Sequence, residues 1–326
     1  DVWSKLHNAK KAAFNRYLAT REARNYIITN LVAEIANTYF ELLALDNQLE
    51  IIRATIRLQQ NELEVVRVQK QAAMATELAV KQFEAQVFNA QGLEYDVLQQ
   101  IKEKENTLNA LLGRYPQPVL RDTVNFVSRS PLGVSAGVPS QLLKNRPDIR
   151  QSELELEAAQ LDIQVARAEF YPSFGISAGL GFQAFKPAYL LKAPESIAAS
   201  LVGDAIGPII NRRAIQAEFN KANALQLQAL FNYQKTVLNA YVEVSTQLSN
   251  ISNLQRMQEL KAKEVETLTQ SIDVAKDLFR STRANYLEVL IAQRDALSAK
   301  LELAEARKRQ FNAVVNIYKA LGGGWQ

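Results

Sequence analysis

The chain has 326 residues, 48% of them hydrophobic and 22% charged, a balance that folds into a packed core and excludes intrinsic disorder. Its 38 basic and 34 acidic residues leave a net charge of +4. Both signs are interleaved along the chain, which describes a solvated helix surface rather than a nucleic-acid patch. With no cysteine, disulfides and thiolate metal sites are excluded. No run of about 18 or more apolar residues is present, so no transmembrane helix is expected. The sequence opens on Asp1-Val2-Trp3 without a methionine or a visible signal peptide, and an upstream segment is expected.

Residues from about 9 to about 72 contain neither proline nor glycine and read as one very long helix. Leu31, Ile35, Thr38, Leu42, Leu45, Leu49, Ile52, Ile56, Gln59, Leu63, Val66 and Lys70 step by alternating four and three, and nine of the twelve are apolar. That is the narrow seam of a coiled coil. At 1.5 Å per residue such a helix is roughly 95 Å long, more than an ordinary globular core accommodates. Apolar positions off the seam, among them Leu43, Ile51, Leu58 and Val65, imply packing on both flanks. A turn is expected near residues 71–78, followed by a second helix that stops at Leu112-Gly113.

Residues 31–113 recur at 240–322 with an offset of 209 throughout: Glu34 falls on Glu243, Leu78 on Leu287, Val80 on Val289 and Leu112-Gly113 on Leu321-Gly322. A gapless offset over some eighty residues marks two copies of one structural unit. The second seam runs through Ala240, Val244, Gln247, Ile251, Leu254, Gln258, Lys261, Val265, Leu268, Ile272, Ala275 and Phe279, with its turn near 280–287.

Between the copies the pattern changes. Pro116, Pro118, Pro131, Gly133, Gly137 and Pro139 mark an irregular connection, and Pro147 is suited to open a helix that runs to about Ala168. In Phe174–Phe182 the apolar Phe174, Ile176, Ala178, Leu180 and Phe182 alternate with Gly175, Ser177, Gly179 and Gly181. This is a strand with one apolar face and one face of minimal size. Pro187 and Pro194 bound a loop, and Ser196 to about Ile206 returns as a second strand. Such a hairpin suits a transmembrane β-barrel, and equally a small sheet capping the helices.

Residues able to do chemistry are few. His7 is the only histidine, Glu62-Glu64 and Glu302-Glu305 are ordinary helix-surface charges, and Gly322–Gly324 follows a helix as its stop. No nucleophile–base motif, phosphate loop, metal-ligand set or cofactor motif stands out, so no catalytic activity, metal or cofactor is expected.

Six segments in order carry a resemblance: Asp1-Val-Trp-Ser-Lys-Leu6, Pro139-Ser-Gln-Leu-Leu143, Arg146-Pro-Asp-Ile149, Ala168-Glu-Phe-Tyr-Pro172, Gly207-Pro-Ile-Ile210 and Tyr318-Lys-Ala-Leu-Gly-Gly-Gly-Trp325. Together with the duplicated helices, they resemble the TolC-like outer-membrane efflux proteins, above all those serving resistance-nodulation-division pumps. The resemblance implies a mainly α fold with a small β part. Three subunits build an α-helical tunnel of long antiparallel coiled-coil helices through the periplasm, under a barrel to which each gives four strands. It implies residues 1–8 as the end of a β-strand, 9–113 as the first helical repeat and 114–146 as an equatorial connection. Residues 147–171 become a helix leading to the barrel, 172–206 a transmembrane hairpin, 207–322 the second repeat and 323–326 the start of an equatorial tail. Another hairpin and two helices are expected upstream; a lipid-modified amino-terminal cysteine, as in a lipoprotein, is common in the subgroup this chain resembles.

The implied function is a passive exit duct in the outer membrane of a Gram-negative bacterium, working with a periplasmic adaptor and an inner-membrane pump, in contact with lipid and not with nucleic acid. It is expected to open and close at the helix turns. There Glu288 matches an acidic ring position of the family, Ile291 stands where many relatives carry aspartate, and Arg280, Arg283 and Asn285 are candidates for contacts that hold the mouth shut. Ala73, Thr76, Leu78, Thr282, Tyr286 and Leu287 are the expected adaptor-facing tip, with Ala73 and Thr282 replacing glycines usual in the family. A protein-secretion channel on the same architecture and a coiled-coil scaffold without a pore remain alternatives.

Overall fold

The computed structural model describes residues 1–121, 145–189, 191, 193–194, 196–207, 211–281 and 283–324. Helices α1 (Lys5–Gln71), α2 (Glu77–Leu111) and α3 (Pro147–Ala168) precede strands β1 (Ser173–Phe182) and β2 (Ile197–Ile206). Helices α4 (Arg212–Arg280) and α5 (Tyr286–Ala320) follow. The Pro139–Leu143 segment, Pro131, Gly133, Gly137, Pro208-Ile-Ile210, Thr282 and Trp325 lie outside the described residues. Among the described residues, no helix is long and apolar enough to cross a membrane. The chain divides into two compact units, residues 1–26 with 146–239, and 27–145 with 240–326.

In the first unit, α1 begins earlier than the sequence pattern suggested, and residues 5–8 belong to it rather than to a strand end. Residues 1–4 form a turn, with Ser4 at φ +56°. The Asp1 carboxylate accepts the Leu6 and His7 backbone N–H groups at 3.0 and 2.8 Å, satisfying donors that a helix start leaves free. The Trp3 indole N–H donates to the Pro172 carbonyl at 2.8 Å, and its ring stacks on Tyr171 at 4.6 Å. Lys5 pairs with Glu169 at 3.3 Å, and Arg16 pairs with Asp162. α3 buries Ile149, Leu154, Ala158 and Ala166, and Pro147 occupies its first turn.

The two strands pair antiparallel over all ten residues, from Ser173 opposite Ile206 to Phe182 opposite Ile197. Opposed residues share a face. One face therefore carries Phe174, Ile176, Ala178, Leu180 and Phe182 with Ala205, Gly203, Leu201, Ala199 and Ile197. The other carries Ser173, Gly175, Ser177, Gly179 and Gly181 with Ile206, Asp204, Val202, Ser200 and Ala198. Asp204 is the only ionisable residue in either strand, and it sits on the small face. A Cβ at Gly175 would meet the Asp204 carboxylate, so the acid lies over this glycine.

The second unit is built on the seams. Leu42, Leu45, Ile52 and Ile56 of α1 pack with Ala90, Val97, Ile101 and Leu108 of α2 and Leu297 of α5. Nearer the turns, Leu63 and Val66 pack with Ala79, Val80, Phe83 and Val87 of α2 and Leu290 of α5. Leu43, an off-seam position expected to pack on a second flank, is buried with Ala44 against Phe311, where Phe40 stacks on Phe311 at 4.7 Å. α5 comes back alongside this flank of α1 and covers it; Leu58 and Val65 do stay exposed.

Both copies end alike. Gly113 and Gly322 take φ of +66° and +83°, the left-handed cap that glycine adopts freely. Their N–H groups donate to Ala110 and Lys319, and those of Arg114 and Gly323 donate to Asn109 and Tyr318. The tip turns match as well. Met74 N–H donates to Gln69 O at 2.8 Å, and Arg283 N–H to Leu278 O at 2.9 Å, the same pair of positions 209 residues on. The first turn places Ala73 at φ +60°, where a Cβ costs about 1 kcal/mol. Ala73→Gly should therefore stabilise the turn by about 0.5–1 kcal/mol, read as a higher denaturant midpoint.

Candidate gate at the helix turns

The sequence candidates fall into two groups, one on each turn. Ala73 and Thr76 belong to the α1–α2 turn, and Leu78 to the first turn of α2. Arg280 ends α4, Arg283 and Asn285 lie in the α4–α5 turn, and Tyr286, Leu287, Glu288 and Ile291 occupy the start of α5.

The first turn is clamped. Thr76 caps α2, its hydroxyl accepting the Ala79 N–H at 3.2 Å. Lys70 pairs with Glu77 across the turn, Lys81 with Glu84 at 2.9 Å, and Arg67 bridges Glu64 and Glu84 at 2.7 and 2.9 Å. Hydrogen bonding from Lys70 holds the Glu77 carboxyl below the usual range, and bonds from Lys81 and then Arg67 do the same for Glu84. A lowered carboxylate pKa stabilises the fold above its ordinary value, and the effect is lost as pH falls through the lowered value. The clamp therefore holds at neutral pH and fades in acid.

The second turn has lost these pairs. The positions equivalent to Lys70, Glu77, Lys81 and Glu84 are Phe279, Tyr286, Leu290 and Gln293. Asn285 caps α5 without a side-chain hydrogen bond, and Arg280 comes no nearer to Asp277 than 3.9 Å. Lys276 reaches out of its own repeat to Glu62 of α1 at 2.6 Å. Among the described residues, no ion pair joins Glu288 to Arg280 or Arg283.

Burial differs between the copies at neighbouring positions: Lys81 is exposed where its equivalent Leu290 is buried, and the reverse holds nearer the tip. Val80 and its equivalent Val289 are both buried. Ala79 is fully buried, whereas its equivalent Glu288 is exposed. Leu287 and Ile291 are exposed on the same stretch, at 46% and 41%, and Leu78 at 60%. Tyr286 is half-buried and packs on the tip cluster, so its ring supports the rim from inside.

Two groups of residues escaped the sequence reading. The Glu77–Lys81–Glu84 spacing of four and three was a visible signal for the clamp. Arg121, which holds Asp46 at 2.7 Å and Glu105 at 2.8 Å and so ties residues 114–121 to the helices, gave none, because its partners are distant in sequence. Burial pushes the Asp46 carboxyl up; Arg121 opposes that push and Glu105 adds to it.

The chain matches the family model described as outer membrane efflux protein over residues 1–114 and 138–323. It is 31% identical over 327 residues to the pyoverdine export outer membrane protein OpmQ of Pseudomonas putida, covering 100% of this chain and 69% of that protein. It is 30% identical over 327 residues to the cation efflux system protein CusC of Escherichia coli, covering 100% of this chain and 71% of that one. A crystal structure of CusC superposes with a TM-score of 0.92 at 28% identity, over 99% of this chain and 75% of that chain. These relatives are transport proteins rather than enzymes. The chain belongs to the outer membrane efflux protein family, with a TolC-like fold placed in the outer membrane of a Gram-negative bacterium and extending into the periplasm.

Proposed function

We propose that three copies form the exit duct of a tripartite efflux pump, closed at the turn between α4 and α5. A periplasmic adaptor would open it and an inner-membrane resistance-nodulation-division transporter would feed it. The observation that carries this reading is the contrast between buried Ala79 and exposed Glu288 on turns that share the Met74–Gln69 and Arg283–Leu278 backbone bond. An unclamped turn presenting Arg280, Arg283 and Glu288 is built to exchange partners; the clamped first turn is built to stay. The names of OpmQ and CusC, concerned with pyoverdine and cations, favour a small molecule or ion as cargo rather than a polypeptide.

The duct reading also gives the hairpin its place. Strands of ten residues have the length that spans a bilayer, and Asp204 marks the face that must meet water. An isolated hairpin cannot span lipid, because its outer edges leave backbone groups unpaired, so the strands complete a barrel with other copies.

Three Glu288 carboxylates around a narrow axis favour cations and repel anions. Glu288→Ala should lower the cation-to-anion permeability ratio in planar bilayers and weaken block by divalent ions. The side chain is exposed, so the change in stability should stay within about 0.5 kcal/mol. Unaltered selectivity and block would remove Glu288 from the constriction.

A further inference from the structure

Two glutamines interrupt the core of the second unit at one level. Gln59 lies in the α1 seam between Ile56 and Leu63, and Gln293 lies in α5 between Leu290 and Leu297. Leu63 and Leu290 share the tip cluster, while Ile56 and Leu297 share the next cluster along the helices. α1 and α5 therefore run antiparallel here, and the two glutamines fall between the same pair of clusters. Both are almost fully buried, at 2% and 4% exposure. Gln59 Oε1 and both polar side-chain atoms of Gln293 have no hydrogen-bond partner among the described residues.

The duplicate copies show that this layer is not required by the architecture. The position equivalent to Gln59 is Leu268, which fits an apolar seam. The position equivalent to Gln293 is Glu84, whose charge is taken up by Lys81 and Arg67. At this level it is the α1–α5 contact that places amides where apolar side chains would pack better. A buried amide without a partner weakens the core around it, and here it divides one continuous apolar seam into two separately packed blocks. Between this layer and the tip, α5 has, among the described residues, none of the ion pairs that fasten α2.

We propose that Gln59 and Gln293 are positioning residues that form the flexing boundary at which the tip of α5 opens from α1. The proposal builds on the reading of the α4–α5 turn as the gate, although the boundary can be measured without it. In the full-length protein, Gln59→Leu with Gln293→Leu joins the two clusters. Amide hydrogen exchange over residues 286–293 should then slow by about ten-fold or more relative to the parent, whereas Gln59→Asn with Gln293→Asn keeps the polar layer and the parent rates. Unchanged or faster exchange in the leucine variant overturns the boundary. Channel opening in planar bilayers is recorded on the same variants. If exchange slows and opening becomes rarer, boundary and gate are one device. If exchange slows and opening is unchanged, the boundary stands and the gate reading falls.

Discussion

Ile176→Arg should cost about 2–4 kcal/mol of stability in the membrane, and Ser177→Arg, one residue further along the same strand, much less. The two side chains leave β1 on opposite faces. Ile176 lies among Phe174, Leu180 and Leu201, and a guanidinium there must be carried into hydrocarbon. Ser177 lies on the face of Asp204 and Ser200, where a long cation reaches water and a carboxylate. Unfolding from lipid bilayers, with both variants measured against the parent, reads the difference directly. Equal costs would place the hairpin outside the bilayer, as a cap on the helices.

Phe83→Ala should cost about 3–5 kcal/mol, an effect as large but confined to the tip. Phe83 is 2% exposed and fills the space between Leu63, Val66, Val80, Val87 and Leu290, so truncation leaves a cavity that two helix pairs would have to close. Phe88 is 68% exposed on the same helix, and Phe88→Ala should leave that packing intact. Limited proteolysis and hydrogen exchange should show the loss around residues 63–87 and at the start of α5, with the Leu42–Leu108 cluster unchanged. A uniform loss of protection throughout the second unit would mean that the two clusters unfold as one.

Most of the helical architecture was legible because it rests on local periodicity and on an internal copy. The heptads of Leu42–Val66 needed only one partner surface, and the offset that aligns Leu78 with Leu287 located both turns. Alternation in Phe174–Phe182 gave the first strand. The second strand, weaker in pattern, became clear once its register put Asp204 beside Gly175. What escaped depended on residues distant in sequence. Nothing near Asp46 points to Arg121, and nothing near Leu43 announces Phe311. The start of α1 was misjudged because Asp1 caps the helix through its side chain, an interaction that periodicity does not register. Gln59 was visible as a polar interruption of the seam, but its partner level on α5 emerged only from the packing. Of the candidate gate, the sequence located the turn; the difference between Ala79 and Glu288 required burial to be compared copy against copy.

The two tip turns have a further consequence for how such a protein diverges. Their defining hydrogen bonds, Met74 to Gln69 and Arg283 to Leu278, run from backbone to backbone and ask nothing of the side chains. Apart from Thr76, which caps α2, and Ala73, whose backbone favours glycine, the described residues of the two turns can therefore change without removing these bonds. Recognition and architecture are inherited separately at this spot: a lineage can retarget its tip to a different partner by a handful of surface changes, while the scaffold behind it goes on selecting the same heptads.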